Sequence, residues 1–409
     1  MAKTIAVLGT LDTKGAEVRW LGELIEARGH RALVIDVGIA HQPTVAADVP
    51  REEVAAAAGE TIPNLIVAGS RDRSIESMGT GAGRVVRSLY EAGRLDGAIG
   101  VGGAQGTWLV SRAMQELPFG VPKLVVSTIA SGNIRPWARH KDIAVLFSVA
   151  DILGGPNTVS KAVLANAAGA IAGMVEAGGG AVARGKRTAV GLTAFGTTNT
   201  AVITAVGLLQ EMGCEPIAFH ASGACGTAME DLIDQGVIDA VLDFTTHELV
   251  GELFPQDIYA AVKPGRLAAA GRRGIPQVIA PGGLNHTVFG PADTIPAAFR
   301  QRQVYAHNPA ITAVKLTPDE LRQVARLVAE RLNAAQGPVA VLIPLLGWSD
   351  VDKEGAALPN PEGNRAFVAE LKLRLAARIT LRELPLHMND PAFAREAVAQ
   401  LAAQMPASA

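Results

Sequence analysis

The chain has 409 residues, 49% of them apolar and 19% charged, which is enough apolar surface for two ordinary cores and too much for a disordered segment. A formal charge of −2 and an aromatic content of 4% supply neither the basic footprint nor the stacking surface that nucleic-acid binding uses. Two cysteines, Cys214 and Cys225, make no disulfide framework and no four-thiolate zinc site, so a reducing compartment, the cytoplasm, is expected.

Residues 4–8 form an apolar strand, and Asp12 interrupts the run too early for a signal peptide. A polar turn at 9–15, a helix over 16–28 stopped by Gly29, and a strand at 31–37 follow. Strands without strict polar alternation, separated by helices of this length, predict a parallel sheet covered on both faces. The same grammar predicts strands at 64–68, 97–101, 123–127 and 143–149. A helix is predicted over 161–177; its apolar stretch carries Asn166 and falls short of the ~20 residues that span a bilayer, so burial is expected, not a membrane. The run Gly178-Gly179-Gly180 marks a boundary before a strand at 188–193. The fold class is therefore α/β, with a nucleotide-binding Rossmann-like domain over 1–180 and a second such domain over 181–409 that ends in a helix at 391–404.

The two domains read as an internal duplication. The pattern from Lys3 to Gly38 returns from Arg187 to Gly223, with Thr4 on Thr188, Thr13 on Thr197, Leu24 on Leu208 and Gly29 on Gly213. Gly120-Val121-Pro122 likewise recurs as Gly274-Ile275-Pro276, and Leu95-Asp96 as Ile238-Asp239. Collinear order favours duplication over a shared turn chemistry.

In an open parallel sheet, ligands sit beyond the carboxyl ends of the strands, where helix N-termini present free N–H groups. Three loops of the first half have the composition for this: residues 9–15 with Thr10, Asp12, Thr13 and Lys14; residues 100–107 with Gly102, Gly103, Gln105, Gly106 and Thr107; and residues 127–133 with Ser131 and Gly132. Glycine lets the backbone approach a phosphate, the hydroxyls donate, and Lys14 supplies a countercharge. The competing reading is a set of tight turns in which Asp12 or Thr13 caps a helix. Neither standard nucleotide signature is complete: Arg187 stands at the hydroxyl position after Gly185-Lys186, and Gln105 stands where a dinucleotide loop has its last glycine.

In the second half Thr198 and Asn199 replace Lys14 and Gly15, so that loop has lost its charge. A small-residue loop at Ser222, Gly223, Gly226 and Thr227 is suited to a substrate carboxylate. Cys225 there is a candidate nucleophile with His220 or His247 as base, or else a small residue filling a crowded turn. His286 follows a strand in the same half, and Asp350 or Asp352 would close a cleft. Scattered single histidines give no zinc spacing, and no metal site is assigned.

Taken in order, the string from Gly9 to Gly15, the glycines at Gly102, Ala221-Ser222-Gly223, Pro281-Gly282-Gly283, His307-Asn308-Pro309 and Pro344-Leu345 resemble one bacterial and fungal family. That family is similar to the N-terminal ATP-binding domain of the tomato mosaic virus resistance protein. The resemblance implies two Rossmann-like subdomains, a homodimer and ATP; Mg²⁺ could accompany such a nucleotide without dedicated protein ligands. ATP is carried by it onto the first-half loops named above. Plant members also have a C-terminal barrel domain, whose contribution would here come from a partner barrel-domain protein or be absent.

Two functions follow as expectations. One is a nucleotide-dependent enzyme acting on a small carboxylated metabolite in a cleft between the halves. The other is a nucleotide-binding interaction or regulatory protein without catalysis.

Overall fold

The computed structural model describes residues 1–67 and 71–406 and divides into two compact units, Met1–Val182 and Ala183–Ala409. Unit 1 runs β1 (Thr4–Gly9), α1 (Leu11–Glu26), β2 (Arg31–Asp36), α2 (Arg51–Ala57), α3 (Ile62–Val67), α4 (Arg71–Glu91), β3 (Gly97–Gly102), α5 (Ala104–Met114), β4 (Lys123–Ser127), α6 (Arg135–Ala138), β5 (Ala144–Phe147) and α7 (Thr158–Glu176). Its five strands are parallel in the order β2-β1-β3-β4-β5.

Why the strands lack polar alternation is visible in β1. Ala6 and Leu8 pack on one face with Val54, Met78, Val86 and Leu109, while Ile5 and Val7 pack on the other with Val18, Leu21 and Ile171. Both faces are dry, so every position is apolar. The helix α7 is long and apolar enough to cross a membrane by length and composition, but its Leu164, Ala168, Ile171 and Val175 face is core. Its start is fixed by Asn157, whose side chain accepts from the N–H groups of Val159 and Ser160.

The strand expected at 64–68 is instead the short helix α3, and Ala68 lies outside the described residues. Ile62 and Leu65, three apart, are buried while Ile66 and Val67 are exposed, a helical face that a core strand would not leave. Pro63 in the first turn needs no N–H partner there. Helix α1 also begins earlier than the sequence suggests, at Leu11, which draws Asp12, Thr13 and Lys14 into its first turns.

Unit 2 runs β6 (Ala189–Ala194), α8 (Asn199–Glu211), β7 (Glu215–His220), α9 (Ala224–Asp234), β8 (Ala240–Thr245), α10 (Glu248–Leu253), α11 (Ala269–Arg273), β9 (Gln277–Gly282), β10 (His286–Phe289), β11 (Val304–Asn308), β12 (Ile311–Lys315), α12 (Pro318–Asn333), β13 (Val339–Pro344), α13 (Pro361–Arg374), β14 (Thr380–Leu384) and α14 (Pro391–Ala402). Its parallel sheet has the order β14-β13-β9-β8-β6-β7, and an antiparallel sheet β10-β12-β11 is inserted between β9 and β13.

Numbered within its own unit, each parallel sheet begins 2-1-3-4-5, and unit 2 adds β14 outside. The duplication reaches single bonds. Asp96 Oδ2 accepts from Thr4 N at 2.8 Å, and Asp239 Oδ2 from Ala189 N at 2.9 Å. The same pairs correct the sequence alignment by one residue, because Thr4 now matches Ala189 and not Thr188. The slip is absorbed in the following turn: Lys14 N donates to Thr10 O, four residues back, whereas Thr198 N donates to Phe195 O, three back. The alignment resumes at Lys14 and Thr198, which both leave helical geometry, at φ −132° and −124°.

Candidate functional site

In unit 1 a cavity of about 710 Å³ opens at the carboxyl ends of β1, β2 and β3. Thr10, Asp12, Thr13 and Lys14 line it after β1, Val37, Ile39 and Ala40 after β2, and Gly103 to Gly106 after β3, with Leu65, Ile66 and Ile75 from α3 and α4. In the order 2-1-3-4-5 the chain leaves β1 to opposite sides at β2 and β3, which makes this the crevice where such sheets take ligands.

Three devices shape the crevice. Asp36, buried at the end of β2, accepts from Leu11 N at 3.1 Å and Gly38 N at 2.8 Å, tying the first two loops together. Burial raises its carboxyl above the usual range, and the neighbouring Asp12 adds to the rise against those two bonds. Asp12 Oδ2 accepts from Ala40 N at 3.0 Å and His41 N at 3.1 Å, while its buried Oδ1 has no partner. Lys14 Nζ donates to the carbonyl of Ile152 and makes no ion pair among the described residues, so its charge is available to the cavity. The N-terminus of α5, capped by no side chain at Gly103, opens on the same space.

Four of the residues expected here lie elsewhere. Thr107 is buried, bonded to Ser127 Oγ at 2.7 Å and to Gly102 O at 3.3 Å. Gly102 is required by packing, since a Cβ there would meet Thr107 N at 2.3 Å. Ser131 and Gly132 sit in an exposed turn after β4 and do not line the cavity.

In unit 2 the loop at Ser222 to Thr227 does hold a carboxylate, but the chain supplies it. Glu248 Oε1 accepts from Gly223 N at 2.6 Å and Gly226 N at 3.2 Å, and Thr227 Oγ1 donates to Gly223 O at 2.7 Å. Gly223 takes φ +96°, which a side chain would resist. The other oxygen of Glu248 accepts from Arg266 Nε at 2.5 Å, and the same guanidinium donates to Glu230 at 2.5 Å and Asp243 at 2.8 Å. Burial raises the Glu230 and Glu248 carboxyls despite Arg266, because three acids share one cation. The place expected for a substrate carboxylate is thus filled. A Cβ on Gly226 would lie 1.7 Å from Glu248 Oε2. Gly226→Ala is expected to eject that side chain at a cost of about 2–3 kcal/mol, as overpacked cores do, readable as a lowered denaturation midpoint with unchanged slope.

The proposed trio of Cys225, His220 and His247 is not assembled. His247 is fully buried; its Nδ1 bonds to Gly283 O at 2.7 Å and its Nε2 to Asp257 Oδ2 at 3.1 Å, which leaves no lone pair for a thiol. Cys225 is a free, partly exposed cysteine with no hydrogen bond to either histidine among the described residues. His220 is exposed at the end of β7, and partial burial of its ring lowers its pKa. Asp352 is structural as well, accepting from Trp348 N, Asn360 N and Asn364 Nδ2 at 2.7–3.2 Å. No sequence signal announced Asp36, Asp257 or Arg266, since each has a partner 25 or more positions away that no local motif marks.

Comparison with known proteins agrees with this division. An "Uncharacterised protein family (UPF0261) N-terminal domain" matches residues 3–179, and the C-terminal domain of that family matches residues 187–405. A UPF0261 protein of Clostridium tetani is 40% identical over 96% of this chain and 97% of its own length. The ToMV resistance protein Tm-1(GCR237) of Solanum lycopersicum is 34% identical over 96% of this chain and 54% of its own length. Among solved structures, the UDP-GlcNAc 2-epimerase of Neisseria meningitidis aligns at 13% identity and TM-score 0.22, over 68% of this chain and 82% of its own. Two domains in the same order, matched across almost the whole length, make this chain a member of the UPF0261 family.

Proposed function

We propose that unit 1 binds a magnesium nucleotide, ATP, in the crevice between β1 and β3. The observation that carries this reading is the conjunction, in one cavity at the topological switch point, of Lys14, which has no ion pair among the described residues, and the open N-terminus of α5. Each has a use for a triphosphate. The helix N-terminus and Lys14 favour negative charge. Asp12 alone would repel phosphate, but it is the carboxylate among the cavity's lining residues and would hold Mg²⁺ beside the phosphates, with water and phosphate oxygens completing the shell. The apolar walls from Val37, Ile39, Ile66 and Ile75 suit a base, and about 710 Å³ accommodates a nucleotide.

Titration calorimetry of the whole protein with ATP, with and without Mg²⁺, tests this. Saturable binding that Mg²⁺ strengthens is expected. Lys14→Glu should weaken it at least ~30-fold, the worth of a charge-assisted bond replaced by a repulsion. Asp12→Asn should remove most of the Mg²⁺ dependence. Absence of ATP binding at millimolar concentration in a folded sample would refute the reading.

A further inference from the structure

A second cavity, of about 180 Å³, lies wholly within unit 2 where the ends of β6 and β7 meet the inserted antiparallel sheet. Its walls are rings: Phe195, His220, Tyr259, His286, Tyr305 and His307. Phe195 stands 5.5 Å from His220 and 5.6 Å from Tyr259, centroid to centroid, and Tyr305 stands 6.0 Å from His307. Apolar cavities of roughly 150 Å³ hold one benzene ring, so this one fits a single six-membered ring with a small substituent.

His286 decides what the substituent is. The residue is 5% exposed and its ring lines the cavity. Asn285 Nδ2 donates to Leu358 O at 3.4 Å, which turns Asn285 Oδ1 toward His286 Nδ1 at 3.0 Å. An amide oxygen only accepts, so Nδ1 carries the ring proton and Nε2 is a bare lone pair. That nitrogen has no partner among the described residues. Burial, and the His247 ring 5.1 Å away, hold the pKa of His286 down at about 3, so the lone pair persists at neutral pH.

We propose that this cavity is a binding site for a small hydroxylated aromatic ring, whose O–H donates to His286 Nε2 while the Phe195–Tyr259 pair packs against one side of it. The site is independent of the nucleotide crevice and uses no residue of it. A neutral acceptor with no other partner penalises a ligand that brings no donor, because the lone pair would be dehydrated without replacement.

Phenol and anisole, which differ by methylation of the oxygen, are the probes. Titrations followed by ¹H–¹⁵N NMR of the histidine side chains should show phenol binding at least tenfold more tightly than anisole, with a shift of His286 Nε2. In His286→Phe the ring is kept and the acceptor lost, and the preference should fall to about one. If that variant fails to fold, the Nε2 shift in the unaltered protein decides instead. Equal affinity for the two probes, no binding of phenol at millimolar concentration, or binding that leaves Nε2 unmoved would each overturn the proposal.

Discussion

Arg266→Met is expected to destabilise unit 2 by about 3–5 kcal/mol, the cost of leaving buried charge uncompensated. The guanidinium is 1% exposed and holds Glu248, Glu230 and Asp243 at 2.5–2.8 Å, one nitrogen turned to each. Without it three carboxyls crowd a dry site, with Thr193 Oγ1 and the N–H groups of Leu267 and Ala269 as their remaining donors besides the glycine loop. Set against a total of about 5–15 kcal/mol for a domain, this brings the unit near its unfolding threshold. Arg266→Lys should rescue little, since one ammonium cannot present a planar fork to three acids. Denaturant unfolding followed by circular dichroism measures both. A loss below about 1 kcal/mol for the methionine variant would show that the cluster is solvated or already neutral.

Asp257→Asn is expected to cost about 3–5 kcal/mol and to alter the pH profile of stability. Asp257 and His247 are buried together, and Asp257 also accepts from Thr287 Oγ1, Val288 N and Tyr259 N at 2.7–2.8 Å. Burial opposes charge on both, yet the His247 imidazolium holds Asp257 below the ordinary 3.8, and the carboxylate holds His247 above the ordinary 6.5. The raised histidine contributes stability that is complete below pH 6.5 and is lost as pH rises through its folded value. The lowered aspartate contributes stability that is complete above pH 3.8 and is lost as pH falls through its folded value. The pair therefore supports the fold most between those two limits. In the asparagine variant the histidine has no countercharge, and the decline above pH 6.5 should flatten. Parallel profiles for the two proteins would mean that His247 is neutral in the folded state.

The parallel sheets were legible because a strand buried on both faces must be apolar throughout, as β1 shows with Ile5 and Val7 on one side and Ala6 and Leu8 on the other. The duplication was legible for the same reason that it was misaligned by one residue. Side-chain types recur through the helix, and nothing in the composition of residues 9–15 reveals that its turn has one member more than its twin. The run at 64–68 misled because a short apolar stretch has no period of its own; burial of Ile62 and Leu65 with Ile66 exposed identifies the helix only after folding. At the candidate sites, local sequence marked the anion-holding loop at Gly223 but not its occupant. Glu248 lies 25 positions beyond that loop, and a carboxylate there looks like any acid at a helix start.

That occupant has a further consequence. A group tethered to the chain that receives it is present at an effective concentration set by geometry and not by the solution around it. Glu248 cannot be diluted away, and a free acid in the medium competes with it on very unequal terms. The glycine loop of unit 2 is thus saturated in every folded molecule, and its intrinsic taste for anions will be invisible to any titration that leaves Glu248 in place.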